Sequence, residues 1–115
     1  MTPGIWAIEE SLWTGGRAAY LGAIHERAVF TFAPPTGILQ GTGFVDDLPE
    51  EGAWRSVEME DRVESAPTDD LRLIAYRAKG ERMDGTGCRA MCSSAYLREA
   101  GDWLLVHHQQ TPIAD

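Results

Sequence analysis

Ser93-Ser94-Ala95-Tyr96-Leu97-Arg98, Glu99-Ala100-Gly101-Asp102 and Trp103-Leu104-Leu105-Val106-His107-His108-Gln109-Gln110-Thr111-Pro112 form the stretch on which the fold turns. Two runs rich in apolar and aromatic residues flank a short Gly-containing segment, the pattern of a β-hairpin. The second arm opens with apolar residues in both phases, Trp103 and Leu105 on one side and Leu104 and Val106 on the other. Pairing across a four-residue loop sets Arg98 opposite Trp103, Tyr96 opposite Leu105, Ser94 opposite His107 and Cys92 opposite Gln109. Opposed residues share a face, so Cys92, Ser94, Tyr96, His107 and Gln109 are expected on one surface, and Ser93, Ala95, Leu97, His108 and Gln110 on the other. The adjacent histidines then point apart, which argues against one metal held by both.

Upstream, Thr2 and Pro3 suit an N-cap and first helical position, and Ile5, Trp6, Ile8, Leu12 and Trp13 recur at helical spacing, predicting a helix over Pro3 to Thr14. Gly15-Gly16 stops it, and Tyr20, Leu21 and Ile24 predict a second helix from Arg17 to His25. Ala28 to Phe32 reads as a strand ended by Pro34-Pro35, with a short return strand at Gly37 to Gly41 and a loop or helical turn from Phe44 to Glu51. Ser56 to Glu64 alternates, with Val57, Met59 and Val63 on one side. Strands from Leu71 to Lys79 and from Cys88 to Arg98 follow, each introduced by a turn. Two helices followed by a run of antiparallel strands define an α+β layout with helices on one side of the sheet.

At 115 residues the chain has the length of one domain, and 43% apolar with 9% aromatic residues suffices for a core. A net charge of −8 repels phosphate backbones and anionic membranes, which argues against a nucleic-acid partner. No apolar run approaches the roughly 20 residues that span a bilayer, and the first residues lack a basic segment followed by an apolar one. The expected location is the cytoplasm, with no membrane association. Cys88 and Cys92, four residues apart on one strand, lie about 13 Å apart, beyond the roughly 7 Å reach of a disulfide. They are expected as free thiols, and their spacing does not suit a metal site.

Glu9 is the residue that stands out chemically. About 100° per residue places it near the middle of the apolar arc of the first helix, between Trp6 and Trp13 on one edge and Ile5 and Leu12 on the other. Burial among indoles raises a carboxyl pKa and makes it a candidate general acid or base; a structural carboxylate satisfied by hydrogen bonds is the competing reading. Ser94 near His107, with Glu9 as orienting carboxylate, has the residue types of a nucleophile and its base, but Ser94 lacks the sharp Gly-x-Ser-x-Gly turn. Gly41-Thr42-Gly43 and Gly85-Thr86-Gly87 lack the full phosphate-cradling spacing and read as turns.

Glu9-Glu10-Ser11-Leu12-Trp13, Tyr76, Ser93-Ser94-Ala95-Tyr96, and Trp103 followed by His108-Gln109-Gln110-Thr111-Pro112 together resemble the SnoaL-like and ketosteroid-isomerase-like proteins of the nuclear transport factor 2-like superfamily, above all its small uncharacterised bacterial members. The resemblance spans nearly the whole chain. It implies one cone-shaped, cystatin-like domain over residues 1–115, with N-terminal helices in the concave face of a curved antiparallel sheet, an internal pocket and a homodimer formed through the sheet's outer face. The steroid isomerases' catalytic groups do not carry over. Their base aspartate corresponds to Ala33, their oxyanion-stabilising aspartate to a position near Ser94, and their helix-one tyrosine to Glu9 or Glu10. Without the proton-shuttling base, steroid-type isomerisation is disfavoured.

The expected pocket gathers Trp6, Glu9, Trp13, Tyr76, Cys92, Ser94, Tyr96, His107 and Gln109. It suits a small, largely apolar molecule bearing one or two polar groups, with no cofactor or metal. Two alternatives stay open: an isomerase, dehydratase or cyclase using Glu9 and His107 as an acid–base pair, and a dimerisation module with no ligand.

Overall fold

In the computed structural model, which describes residues 4–48, 50–52 and 54–114, a six-stranded sheet curves around two short helices. The first helix, α1, spans Ile5–Thr14 and buries Ile5, Glu9, Leu12 and Trp13, one face at the i, i+4, i+7, i+8 spacing. Thr2 and Pro3, expected as its cap and first position, lie outside the described residues. The second helix, α2, is shorter than expected, Gly16–Tyr20. Ile24 and His25 belong instead to strand β1, Ile24–Thr31, where Ile24 is buried and paired with Leu105. Sheet burial of a β-branched residue outweighs its place in a helical pattern. Gly16 allows the tight approach between the helical segment and the distant loop at residues 50–52: its φ is +69°, and a Cβ there would lie 2.3 Å from the backbone oxygen of Glu50.

The remaining elements are β2 (Ile38–Gln40), a 3₁₀ turn (Gly43–Asp47), β3 (Trp54–Thr68), β4 (Leu71–Arg82), β5 (Gly87–Glu99) and β6 (Asp102–Pro112), in spatial order β2-β1-β6-β5-β4-β3. The sheet is mixed rather than wholly antiparallel, because β1 runs parallel to β6. Most of the chain separates those two strands, so no hairpin dictates their direction.

Extra residues give the sheet its curvature. On β3 the pairing slips between Trp54 and Ser56, between Glu60 and Val63, and between Ser65 and Thr68. Each bulge bends the strand and increases its twist. The middle one, with Asp61 at φ 54°, corrects the expected alternation: Val57 and Met59 face the core, but Val63 is 62% exposed.

The closing hairpin turns more tightly than expected. Glu99 pairs with Asp102, leaving a two-residue loop in which Ala100 and Gly101 both have positive φ, as right-twisted hairpins favour. Arg98 faces Trp103 and Tyr96 faces Leu105, as expected, but Ala95 then faces His107, Ser94 faces His108 and Cys92 faces Gln110. Val106 is the extra residue. From that point the register moves by one, and every later β6 side chain exchanges faces relative to the uninterrupted alternation.

Candidate functional site

Glu9 sits on the core-facing side of α1, 1% exposed, beneath the concave faces of β4, β5 and β6. The Tyr76 and Ser94 hydroxyls donate to its Oε2 at 2.5 and 2.7 Å, and the Tyr96 hydroxyl donates to Oε1 at 2.6 Å. Tyr76 in turn accepts from the Trp13 indole N–H at 3.0 Å. The imidazole of His108 closes the cluster, its Nδ1 lying 2.6 Å from Ser94 Oγ and 3.2 Å from Glu9 Oε2. Because Ser94 gives its only proton to Glu9, Nδ1 acts as donor, and Nε2 faces Gln110 Oε1 at 2.8 Å.

Desolvation alone would raise the Glu9 pKa. The hydrogen bond and positive field from His108, with the hydroxyls of Tyr76 and Tyr96, outweigh it and hold the carboxyl below its ordinary value of 4.5. The expectation of a raised Glu9 is thereby corrected: indoles were read as its whole environment, and the hydroxyls and imidazole were not. Burial and the adjacent carboxylate push both Tyr76 and Tyr96 far above the usual phenol range, so they remain hydroxyl donors.

Next to this network lies an apolar cavity of about 190 Å³. Leu12, Trp13, Tyr20, Phe30, Leu48, Trp54 and Leu105 form its walls, while Glu9, His108 and Gln110 contribute the inner polar groups and Glu51 and Gly52 stand beside Gly16. Two packed pairs fix the aromatic walls: Trp13 meets Trp54 edge to face with centroids 5.1 Å apart, and Phe44 backs Phe30 at 5.1 Å. Gly80 is required beneath Trp54, since a Cβ there would come within 2.8 Å of the indole ring.

Of the side chains expected together, Glu9, Trp13, Tyr76, Ser94 and Tyr96 do meet in one network. Trp6 lies to one side, edge-on to Tyr76 with its N–H donated to Glu64. Cys92 is buried beside Tyr76 in the β4–β5 ladder, its thiol pushed up to about 12 by burial and therefore protonated. His107 and Gln109, expected to face inward, face outward instead. His107 Nδ1 lies 3.0 Å from the Val29 carbonyl, and Gln109 donates to Ser93. The Val106 bulge is the reason, and it brings His108 and Gln110 inward in their place. His25 pairs with Glu99 at the hairpin end. Among the described residues, no group of three or more His, Cys, Asp or Glu side chains is arranged to hold a metal ion.

Several solved structures superpose on this fold. A candidate ketosteroid isomerase from Parabacteroides distasonis superposes with a TM-score of 0.78 at 10% identity, over 95% of this chain and 85% of that one. A nuclear transport factor 2-like protein of unknown function in nutrient uptake from Rhodospirillum rubrum gives 0.76 at 17% identity, over 97% and 100%. The fold is nuclear transport factor 2-like. The CaMKII hub homology domain of Chlamydomonas reinhardtii shares the nuclear transport factor 2-like architecture as well, with a TM-score of 0.73 at 14% identity over 94% of this chain and 91% of that one. No protein-family model and no curated protein matches the sequence. In this nuclear transport factor 2-like cone, no helix among the described residues is long and apolar enough to cross a membrane.

Glu9→Gln replaces an acceptor-only carboxylate with a group that turns an N–H₂ toward hydroxyl donors. It should destabilise the fold by about 3 kcal/mol, measured by urea unfolding at pH 7. A folded-state pKa below 4.5 means that the carboxylate's contribution is complete above that pH and is lost as the pH falls through the lower folded value. The variant should lack this acid-sensitive component. Identical stability-versus-pH curves for the two proteins would mean that Glu9 is not held as an anion.

Proposed function

We propose that the cavity binds one small, largely apolar molecule, and that residues 1–115 serve as a single ligand-binding domain. The observation that carries this reading is an apolar chamber of about 190 Å³ whose polar groups, Glu9, His108 and Gln110, converge at one end. A dry cavity of roughly 150 Å³ holds benzene, so the space suits one ring with a substituent. Drug-sized ligands, whose sites begin near roughly 300 Å³, are too large. Trp13 and Leu12 supply contact surface, while Tyr76, Ser94 and Tyr96 act behind Glu9 by fixing its carboxylate. Native mass spectrometry of the purified protein should detect a bound molecule of this size, or a one-ring fragment should bind it. Leu48→Trp, which fills the chamber from a half-buried position, should abolish binding without loss of secondary structure. Unchanged binding by that variant would place the ligand elsewhere.

A second reading is favoured by the Glu9–Ser94–His108 chain. With Nδ1 held in the buried network, Nε2, on Gln110 Oε1 at 2.8 Å, is the ring nitrogen left to exchange a proton once Gln110 yields it, the arrangement of an imidazole serving as general acid or base. Isomerisation, dehydration and cyclisation of a small molecule all need such a proton carrier. The pair is then Glu9 with His108, Glu9 orienting and His108 transferring the proton. Deuterium uptake from D₂O into a bound carbonyl ligand, followed by NMR, should fall at least 100-fold in His108→Gln while binding persists. Equal uptake in the variant would remove the enzymatic reading.

The outer face of the sheet supports a homodimer. Leu73, Ala95, His107 and Val29 form a row across β4, β5, β6 and β1 by direct pairing, and Leu73 and Met91 are 43% and 47% exposed. An apolar patch on a small soluble domain is best buried against a second copy. A cytoplasmic location goes with this reading. Leu73→Glu should convert a dimer to a folded monomer in sedimentation analysis at micromolar concentration; a monomeric parent protein would defeat the dimer.

A further inference from the structure

We infer that the ligand of the cavity is a cation, a one-ring or comparably compact apolar molecule bearing an ammonium group. The inference rests on the cavity being a ligand site and adds the sign of the charge. Two carboxylates, Glu9 and Glu51, line the chamber against one imidazole, His108, and no Lys or Arg does among the described residues. The neighbouring guanidinium groups are engaged: Arg17 donates twice to the Leu48 carbonyl, and Arg82 lies over Trp54 at 4.5 Å. Around the chamber the whole chain carries a net charge of −8. His108 offsets the Glu9 carboxylate, which leaves Glu51 as the unbalanced charge of the lining, so an anion entering this space is repelled and an ammonium group attracted.

The aromatic walls point the same way. Ring faces are electron-rich and attract cations, most strongly for indole. Three of the four tryptophans already carry a guanidinium: Arg62 lies over Trp6 at 4.9 Å, Arg82 over Trp54 at 4.5 Å, and Arg72 and Arg98 over Trp103 at 4.9 and 5.2 Å. The fourth, Trp13, borders the cavity with Tyr20 and Phe30, and among the described residues no guanidinium lies over it. The ligand's own charge completes the pattern. Glu9 also has capacity for it, since Oε1 accepts only the Tyr96 hydroxyl and a carboxylate oxygen can accept a second donor.

Three probes of nearly equal size separate the possibilities: benzylammonium, benzyl alcohol and benzoate, each titrated into the intact protein at pH 7 and low salt, with tryptophan fluorescence and calorimetry as readouts. Benzylammonium should bind about tenfold more tightly than benzyl alcohol, benzoate should not bind, and added salt should weaken only the cation. Glu51→Gln, at an exposed position outside the buried network, should weaken benzylammonium about threefold and lessen its preference over benzyl alcohol. Benzyl alcohol binding as tightly as benzylammonium, or benzoate binding best, would overturn the cationic assignment while leaving the cavity a ligand site. Failure of all three probes at millimolar concentration would overturn both.

Discussion

The carboxylate of Glu9 is the constraint on which the rest of the structure depends. An ion at 1% exposure is tolerable only when the surroundings replace its water. Here Tyr76, Ser94, Tyr96 and His108 do so, and they come from three different strands. Helix and sheet are therefore joined by directed bonds as well as by nonpolar contact. Hydrophobic packing would accept several rotations of α1 over the sheet, but three hydroxyls aimed at two oxygens accept one. The same bonds pin the β4 and β5 side chains that stand behind the cavity.

This arrangement divides the concave side into a polar anchor and an apolar chamber. Tyr76, Ser94 and Tyr96 touch Glu9 and spend their protons on it, while His108 and Gln110 connect the anchor to the chamber wall. Chemistry or recognition at the polar end therefore acts through a pre-set network. No described buried side-chain N or O in the molecule lacks a hydrogen-bond partner, so the network is complete without a ligand.

Much of this was legible in the sequence. The helical spacing of Ile5, Leu12 and Trp13 put Glu9 on the buried face, the pairing of the closing hairpin put Ser94 and Tyr96 on one face, and the family resemblance marked Tyr76. The inner members of β6 were not legible, because a single inserted residue exchanges the two faces of a strand and Val106 looks like any other apolar strand residue. The burial pattern of the folded strand shows the break, Leu105 then His108, an odd interval where an even one is the rule. Walls such as Tyr20, Phe30, Leu48 and Trp54 were equally silent, since tertiary proximity alone makes them neighbours. Glu9 shows a related limit: its position could be read from helical geometry, but the direction of its pKa depends on hydroxyls donated from distant strands.

The bulges of β3 have an effect beyond bending the sheet. This strand is the long outer edge, and an uninterrupted edge of fifteen residues offers a template on which another extended chain can zip. Breaks in its ladder at three points, together with the charged run Glu58, Glu60, Asp61, Arg62 and Glu64, leave no long straight row of free backbone groups. The opposite edge, β2, is only three residues long. The irregularities that curve the sheet around its concave side thus also guard its margins against runaway polymerisation.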